Sequence, residues 1–141
     1  MCSDECLKLF ESGKYEETIK CYEKVIEIEP DNARAYAGKG LVLNDLDRYE
    51  ESIKCFEKAL EIEPDNIMFL DFKGLTLIEL GKLTDSIKCY EKVIEIEPDN
   101  ARAWYNKGLA CIAVNRHDEG TMCLDKAVEI DPSWKETGEF S

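Results

Sequence analysis

The chain has 141 residues, of which 44% are hydrophobic, and its formal net charge is −13. A chain of this length can bury about two thirds of the surface that its unfolded form exposes, so one folded unit is expected without disulfide or metal cross-links. The negative charge argues against nucleic acid or an anionic membrane surface as a partner, and no apolar run approaches the roughly 20 residues that span a bilayer. The N-terminus has neither a basic head nor a continuous apolar body, so we expect a cytosolic protein.

One sequence pattern recurs at a spacing of 34 residues. Residues 20–35 read KCYEKVIEIEPDNARA, and residues 88–103 repeat the same letters two periods later. The intervening copy, residues 54–66, reads KCFEKALEIEPDN, and the last copy, residues 123–132, reads CLDKAVEIDP. The predicted repeats are residues 1–32, 33–66, 67–100 and 101–134, which we expect to form a single domain followed by a tail, residues 135–141.

Each repeat contains two helical patterns separated by two kinds of break. The first helix is expected to end at a residue type that tolerates a left-handed backbone, in order Gly13, Asp47, Gly81 and Asn115. The second is expected to end at a proline, mostly followed by an Asp-Asn pair that can cap the next helix: Pro30, Pro64, Pro98 and Pro132. Apolar residues recur at spacings of three and four, as in Ile53, Phe56 and Leu60. The sequence therefore predicts an all-α fold of eight antiparallel helices.

A glycine recurs inside the first helix of three repeats, at Gly40, Gly74 and Gly108. Glycine in a helix interior costs about 1 kcal/mol relative to alanine. Three such residues at one slot of the repeat therefore indicate that two helices approach each other closely at this point.

Four of the seven cysteines occupy one slot of the repeat: Cys21, Cys55, Cys89 and Cys123. Equivalent atoms of stacked helical repeats lie roughly 10 Å or more apart, whereas a disulfide needs α-carbons within about 7 Å. We therefore expect these cysteines to be reduced packing residues in a reducing compartment.

Cys2 and Cys6 lie one helical turn apart and could offer two thiolates to a soft metal. Two ligands do not close a tetrahedral site, so a structural or simply terminal role is favoured.

Several repeated side chains resemble the tetratricopeptide repeat family. The first helix carries an aromatic residue (Tyr36, Trp104) and a glycine four residues later (Gly40, Gly108), while an aromatic residue opens the second helix (Tyr15, Tyr49). The second helix also carries the family's internal aromatic residue (Tyr22, Phe56, Tyr90) and small residue (Ala59, Ala127) before the closing proline. The resemblance covers nearly the whole chain. It implies a right-handed superhelical solenoid of four helix-turn-helix repeats whose concave face, lined by the first helices, receives a peptide or helix from a partner protein.

The chain departs from the family pattern in its core and at its C-terminal end. Lys39, Lys73 and Lys107 stand where the family usually has leucine, so their stems are expected to pack while their ammonium groups reach solvent. The family commonly ends in an extra helix that covers the last repeat, but only residues 133–141 follow Pro132 here. We therefore expect an open apolar end that allows self-association, with residues 135–141 as a remnant of the capping helix.

The family's groove, carried over residue by residue, falls on the first helices. The candidate partner-binding residues are Leu7, Phe10, Arg34, Leu41, Asn44, Met68, Asp71, Phe72, Leu75, Ile78, Arg102, Tyr105, Asn106, Leu109 and Ile112. Four of them form a leucine row at one slot, where many family members carry asparagine: Leu7, Leu41, Leu75 and Leu109. The leucine row predicts an apolar ligand, either an amphipathic helix or an extended segment, although the same leucines could instead pack between repeats and bind nothing. Because the surrounding surface is acidic, the best-matched partner has apolar anchors flanked by Lys or Arg.

Some relatives bind the C-terminal carboxylate of chaperones through a clamp of lysine, asparagine and arginine. If the clamp began in the first repeat, its slots would hold Ser3, Leu7, Gly38, Met68 and Phe72. If it began in the second, they would hold Ala37, Leu41, Phe72, Arg102 and Asn106. Only Arg102 has suitable chemistry, so we do not expect a chaperone-tail clamp.

Catalysis is not expected, because the chain has a single histidine and no motif for phosphate or cofactor binding. His117 occupies the slot of Tyr15, Tyr49 and Leu83, which predicts a packing role. No metal or cofactor is expected.

Two classes of function remain. The first is an adaptor whose groove binds a segment of another protein. The second is a self-assembly module that oligomerises through uncapped or exchanged repeats.

Overall fold

The computed structural model of the chain describes residues 3–137, and every regular element in this range is helical. The α-helices, two for each predicted repeat, are α1 (Ser3–Glu11), α2 (Tyr15–Ile28), α3 (Ala33–Asp45), α4 (Tyr49–Ile62), α5 (Ile67–Glu79), α6 (Leu83–Ile96), α7 (Ala101–Ala113) and α8 (His117–Ile130). A 3-10 helix, Pro132–Thr137, follows α8. The predicted all-α fold is confirmed. None of the helices in residues 3–137 combines the length and the apolar composition that crossing a bilayer requires.

The turns between the two helices of a repeat have the backbone conformation that the sequence predicts. The backbone angle φ is positive at all four predicted turn residues: 78° at Gly13, 60° at Asp47, 77° at Gly81 and 66° at Asn115. Only glycine and a few short polar residues adopt this left-handed conformation at low cost. The type of residue at each turn therefore explains why the first helix ends there and the chain reverses.

The turns between repeats are closed by asparagine caps. The side-chain oxygens of Asn32, Asn66 and Asn100 accept hydrogen bonds from the third backbone amide that follows, at 3.0, 3.1 and 2.9 Å. Each cap satisfies one of the amide groups that have no partner at the start of a helix, and its removal typically costs about 1 kcal/mol. The predicted proline-Asp-Asn boundary thus ends one helix and starts the next.

The chain divides into two compact units, Met1–Thr76 and Leu77–Ser141, and the division falls inside α5. In the first unit, α2 packs between α1 and α3. Their shared core is a cluster of buried residues: Cys6, Ile19, Cys21, Tyr22, Val25, Ala35, Val42 and Leu43. In the second unit, α7 packs against both α6 and α8, with Ile87, Ala110 and Cys111 in one buried cluster and Tyr105, Leu124 and Ala127 in another.

A disulfide between Cys6 and Cys21 joins α1 to α2, with α-carbons 5.4 Å apart. The prediction that Cys21 is a reduced packing residue is therefore wrong. The spacing argument excluded bonds between equivalent cysteines of different repeats, but Cys6 occupies another slot, the one that holds Gly40 and Gly108 in later repeats. That slot faces the second helix of the same repeat, so the two sulfur atoms meet.

The other cysteines of the repeated slot, Cys55, Cys89 and Cys123, form no disulfide. Cys6 is consumed by its bond to Cys21 and is not a thiolate that could bind a metal. Cys2, the other cysteine of the suggested pair, lies outside the described residues.

The repeated glycines mark close contacts between helices, as predicted. A β-carbon added to Gly40 would lie 2.8 Å from Cε1 of the buried Phe56. A β-carbon at Gly108 would lie 2.9 Å from the carbonyl oxygen of Gly120, and one at Gly120 would lie 2.6 Å from Cγ1 of Ile112. A glycine therefore stands at position 120, in the first turn of α8, where α7 passes too close for a side chain.

The three lysines that depart from the family pattern each pair with a glutamate of the preceding repeat. The distances from Nζ to the carboxylate are 3.0 Å for Lys39 and Glu23, 3.3 Å for Lys73 and Glu57, and 3.3 Å for Lys107 and Glu91. The lysine side chains are only 25%, 24% and 13% exposed, which agrees with the predicted packing of their stems. The carboxylates that bind the ammonium groups are 51%, 53% and 46% exposed, so the pairs lie at the surface. We did not predict these pairs, although each glutamate precedes its lysine by 16 residues in three successive periods.

The described part of the C-terminal segment packs on the last repeat. Trp134 occupies the slot in which Asn32, Asn66 and Asn100 cap a helix, and its segment forms the 3-10 helix that packs on α8. The ring of Trp134 lies 4.7 Å from the ring of Tyr105, between centroids, and covers it. Of the expected tail, residues 138–141 lie outside the described residues.

Candidate functional site

Three members of the leucine row lie on the first helices of the first unit. Helix α1 contacts α3, and the Thr76 hydroxyl on α5 donates a hydrogen bond to Oδ1 of Asn44 on α3, at 3.2 Å. Leu7, Leu41 and Leu75 occupy the same slot on these three helices. Together with Met68 on α5, we call them the apolar face of the first unit.

The members of the apolar face differ in exposure. Leu7 is 48% exposed, Leu75 is 42% exposed and Met68 is 57% exposed. Leu41 is half-buried and packs against the cluster that contains Phe56 and Ala59. The apolar face therefore combines one packing leucine with three side chains that are accessible to a ligand.

Two aromatic candidates of the first unit pack against its core clusters. The ring of Phe10 lies 5.7 Å from that of Tyr15 and packs against the core around the disulfide. The ring of Phe72 lies 5.7 Å from that of the buried Phe56. Both candidates are half-buried, so each offers a ring edge or face to a ligand while its position is fixed by a core neighbour.

The polar candidates of the first unit have distinct roles. Arg34 is exposed on the first turn of α3, whereas Asp71 on α5 is half-buried. Asn44 accepts the hydrogen bond from Thr76, so its amide helps to hold α3 and α5 together. Arg34 is thus the candidate of this unit with a charge at the surface.

The candidates of the second unit are more buried than those of the first. Tyr105 is 8% exposed, lies under Trp134 and forms part of the core of this unit. Leu109 and Ile112 are half-buried and pack against that core. Ile78 and Asn106 are half-buried, and Arg102 is exposed. The candidates of this unit therefore offer little accessible apolar area.

The thiols of three free cysteines are not activated as nucleophiles. Burial raises the pKa of the thiols of Cys55, Cys111 and Cys123, which keeps them protonated and poorly nucleophilic. His117 is exposed at the start of α8, so the prediction that it packs in the core is wrong. Within residues 3–137, no three His, Cys, Asp or Glu side chains are grouped as metal ligands.

Ion pairs beside Lys107 show how charge is distributed at the surface of the second unit. Glu119 accepts hydrogen bonds from Nε and Nη2 of Arg116 at 2.9 and 2.6 Å, and lies 3.4 Å from Nζ of Lys107. The hydrogen bond from Arg116 lowers the pKa of the Glu119 carboxyl, with help from Lys107. Nζ of Lys107 also lies 5.9 Å from the ring of Trp104, so this cation bridges two helices and an aromatic face. These contacts hold the Glu119 carboxylate in ion pairs at the surface of the second unit.

Family models match almost the full length of the chain. A model described as TPR repeat matches residues 7–47 and 74–113, and models described as tetratricopeptide repeat match residues 33–66 and 101–133. No curated protein sequence matches the chain.

Solved structures of proteins named MamA are similar to the chain. The "MamA RS-1 ArsTM double mutant" is 25% identical, with a TM-score of 0.85, and the match covers 92% of this chain and 72% of that one. The structure of "MamA 41-end from Desulfovibrio magneticus RS-1" is 25% identical, with a TM-score of 0.84 and coverage of 92% and 73%. A further "MamA protein" structure, 24% identical with a TM-score of 0.83 and coverage of 96% and 74%, supports the fold alone.

Proposed function

Because the chain belongs to the tetratricopeptide repeat family, whose all-α solenoids are protein-interaction scaffolds, we propose that it is an adaptor that binds a segment of another protein. The bound segment is an amphipathic helix or an extended peptide, and it docks on the first helices. Fold alone does not specify a ligand, so the proposal depends on the residues of the apolar face.

The observation that supports this proposal is the exposure of Leu7, Met68 and Leu75 in the first unit. Burying an apolar side chain releases about 25 cal/mol for each Å² removed from water, so exposed leucines at one slot of the first and third repeats offer apolar surface that gains free energy from a ligand. A ligand helix would use anchors at helical spacing, as other helix-in-groove complexes do. Leu41 lies between the exposed leucines in the repeat order and shapes the face while packing on its own core.

The partner's charge follows from the protein's own charge. At a net charge of −13, the chain attracts cationic segments and repels acidic ones. We therefore propose a partner with apolar anchors flanked by Lys or Arg. Its association rate should fall as salt is added, because screening weakens attraction between exposed charges.

The proposal is tested by retention of proteins from a native extract on the intact chain and on two variants. Leu7→Glu/Leu75→Glu places two carboxylates on the apolar face, and we expect the partner to be lost. Ile28→Glu/Met122→Glu is the matched control, because these residues are 70% and 71% exposed and lie on second helices. The control should retain the partner. Equal retention by both variants would show that the exposed leucines are not the binding site.

The proposal includes no catalytic activity. Desolvation raises the pKa of the thiols of the half-buried Cys55 and the buried Cys111 and Cys123, and a thiol that is not ionised is a weak nucleophile. A cytoplasmic location is also part of the proposal. The Cys6–Cys21 disulfide bears on that location, because such bonds are rare in reducing compartments, and counting the thiols of the protein isolated under alkylating conditions would test it.

Self-assembly through uncapped or exchanged repeats is the alternative function. The ring of Trp134 lies over Tyr105 of α7, which reduces the apolar area that stacking through the C-terminal end would bury. We also propose that residues 1–134 fold as one domain. Both tryptophans, Trp104 and Trp134, lie in the second unit, so their fluorescence reports on that unit while circular dichroism reports on all the helices. One domain should give coincident transitions with both probes.

A further inference from the structure

A groove of about 480 Å³ lies between α1 and α2, and it shares no residue with the apolar face. The half-buried Leu9 and the buried Cys21 give it an apolar lining. Five charged side chains also line it: the exposed lysines Lys8, Lys20 and Lys24 and the exposed glutamates Glu5 and Glu17. The groove therefore combines an apolar lining with a small excess of cations, in a chain that is acidic as a whole.

The second repeat shows what packs on the corresponding surface inside the fold. Leu43, which is the counterpart of Leu9 in the next repeat, is buried in the core where α2 packs on α3. The contact is fixed at its edge by the ion pair between Lys39 and Glu23, at 3.0 Å. This side of a repeat is therefore shaped to receive an amphipathic helix that presents a charged residue at one defined position.

The charge at that position is reversed in the first repeat. Glu5 lines the groove and occupies the slot of Lys39, Lys73 and Lys107. A helix that docks in the manner of α2 would meet a carboxylate where every later repeat presents an ammonium group. Such a helix needs a lysine or arginine at the position that Glu23 holds on α2.

We propose that the groove between α1 and α2 is a docking site for an amphipathic helix of a different protein, with a cation opposite Glu5 and carboxylates opposite Lys8, Lys20 and Lys24. A second copy of the chain does not fit. Its last helix, α8, carries Asp125 in the slot of Glu23, so stacking of two copies end to end would place Asp125 against Glu5. Like charges in contact oppose association, and the groove therefore selects against the chain's own helices.

The test uses two peptides based on α2, residues 15–28, each held helical by a side-chain cross-link because free helices of this length are marginal in water. Both carry Cys21→Ser to prevent thiol exchange, and one also carries Glu23→Lys. We expect the Glu23→Lys peptide to bind the intact chain about fivefold more tightly than the peptide with Glu23, which is the change that a single exposed charge contact can produce. In the Glu5→Lys chain the preference should be reversed.

Glu11→Lys is the matched control, because Glu11 is an exposed glutamate of α1 that does not line the groove. This variant makes the same change in net charge and should keep the preference of the intact chain. The proposal is overturned if both chains rank the peptides in the same order, or if neither peptide binds. It is also overturned if Leu7→Glu/Leu75→Glu abolishes peptide binding, which would assign the peptides to the apolar face.

Sedimentation velocity distinguishes a foreign helix from a second copy. The intact chain should not associate through this groove, and Glu5→Lys should increase association, because it replaces a repulsion with Asp125 by an attraction. Association of the intact chain that Lys8→Glu removes would assign the groove to a second copy and overturn the proposal. Loss of partner retention on the apolar face would leave these results unchanged, so the two surfaces are tested separately.

Discussion

Replacement of Gly40 by alanine sets helix propensity against packing, and the structure indicates which effect is larger. Alanine is favoured over glycine in a helix interior by about 1 kcal/mol. The added β-carbon would lie 2.8 Å from Cε1 of Phe56 and 3.0 Å from its Cδ1 and Cζ. Phe56 is fully buried and its ring contacts Phe72, so the ring cannot move aside without disturbing a second aromatic side chain. Overpacking of this kind costs about 1–3 kcal/mol, so we expect a net loss of about 1 kcal/mol.

The assay is denaturant unfolding followed by circular dichroism, in a cycle with Phe56→Leu. Leucine removes the ring that the new β-carbon would meet, so Gly40→Ala should be neutral or stabilising in the Phe56→Leu background. The difference between the two backgrounds isolates the contact with the ring from the change in propensity. Stabilisation of the unmodified chain by about 1 kcal/mol on Gly40→Ala would refute the packing explanation.

Three further changes test the fold. Reduction of the Cys6–Cys21 bond, whose cysteines are 15 residues apart, should lower the free energy of unfolding by about 3 kcal/mol. The assay is denaturant unfolding with and without reductant, and an unchanged midpoint would contradict the pairing. Asn66→Ala should cost about 1 kcal/mol in thermal unfolding through loss of the cap on α5, with Asn66→Gly losing only a few tenths; equal losses would exclude the cap. Trp134→Ala should destabilise the second unit by about 2 kcal/mol, because it uncovers Tyr105, and an unchanged transition in Trp104 fluorescence would count against this packing.

The helix boundaries could be predicted from the sequence because each depends on one type of residue. A glycine or asparagine at the turn and an asparagine after the proline act through their own backbone and side chain, as the positive φ of Asn115 and the cap of Asn100 show. Cys6–Cys21 could not be predicted in this way. Comparison of repeats aligns equivalent slots, whereas this bond joins two different slots within one repeat.

The exposure of the candidate residues could be predicted only in part, because burial depends on contacts between different slots of the repeats. Leu41 and Leu75 have the same residue type and the same slot, but Leu41 is half-buried against the Phe56 cluster and Leu75 is 42% exposed. Burial of a slot depends on side chains from neighbouring helices, and these vary between repeats. The pattern therefore predicts which residues belong to a first-helix face, and the packing around each one decides whether a ligand can reach it.

Positions at which a repeat departs from its own pattern determine which helices can dock on it. Ile19, Ile53 and Ile87 share one slot of the second helix and are 7%, 9% and 2% exposed, whereas the last repeat has an exposed Thr121 there. Replacing an apolar contact residue by a polar one removes the free energy of burial that stacking would release. Glu5 acts in the same direction in the first repeat, since its charge opposes the acidic helices that the inner repeats accept. Under the proposed docking, Glu5 and Thr121 oppose the stacking of further copies of the chain's own helices. The groove between α1 and α2 then binds helices of different charge.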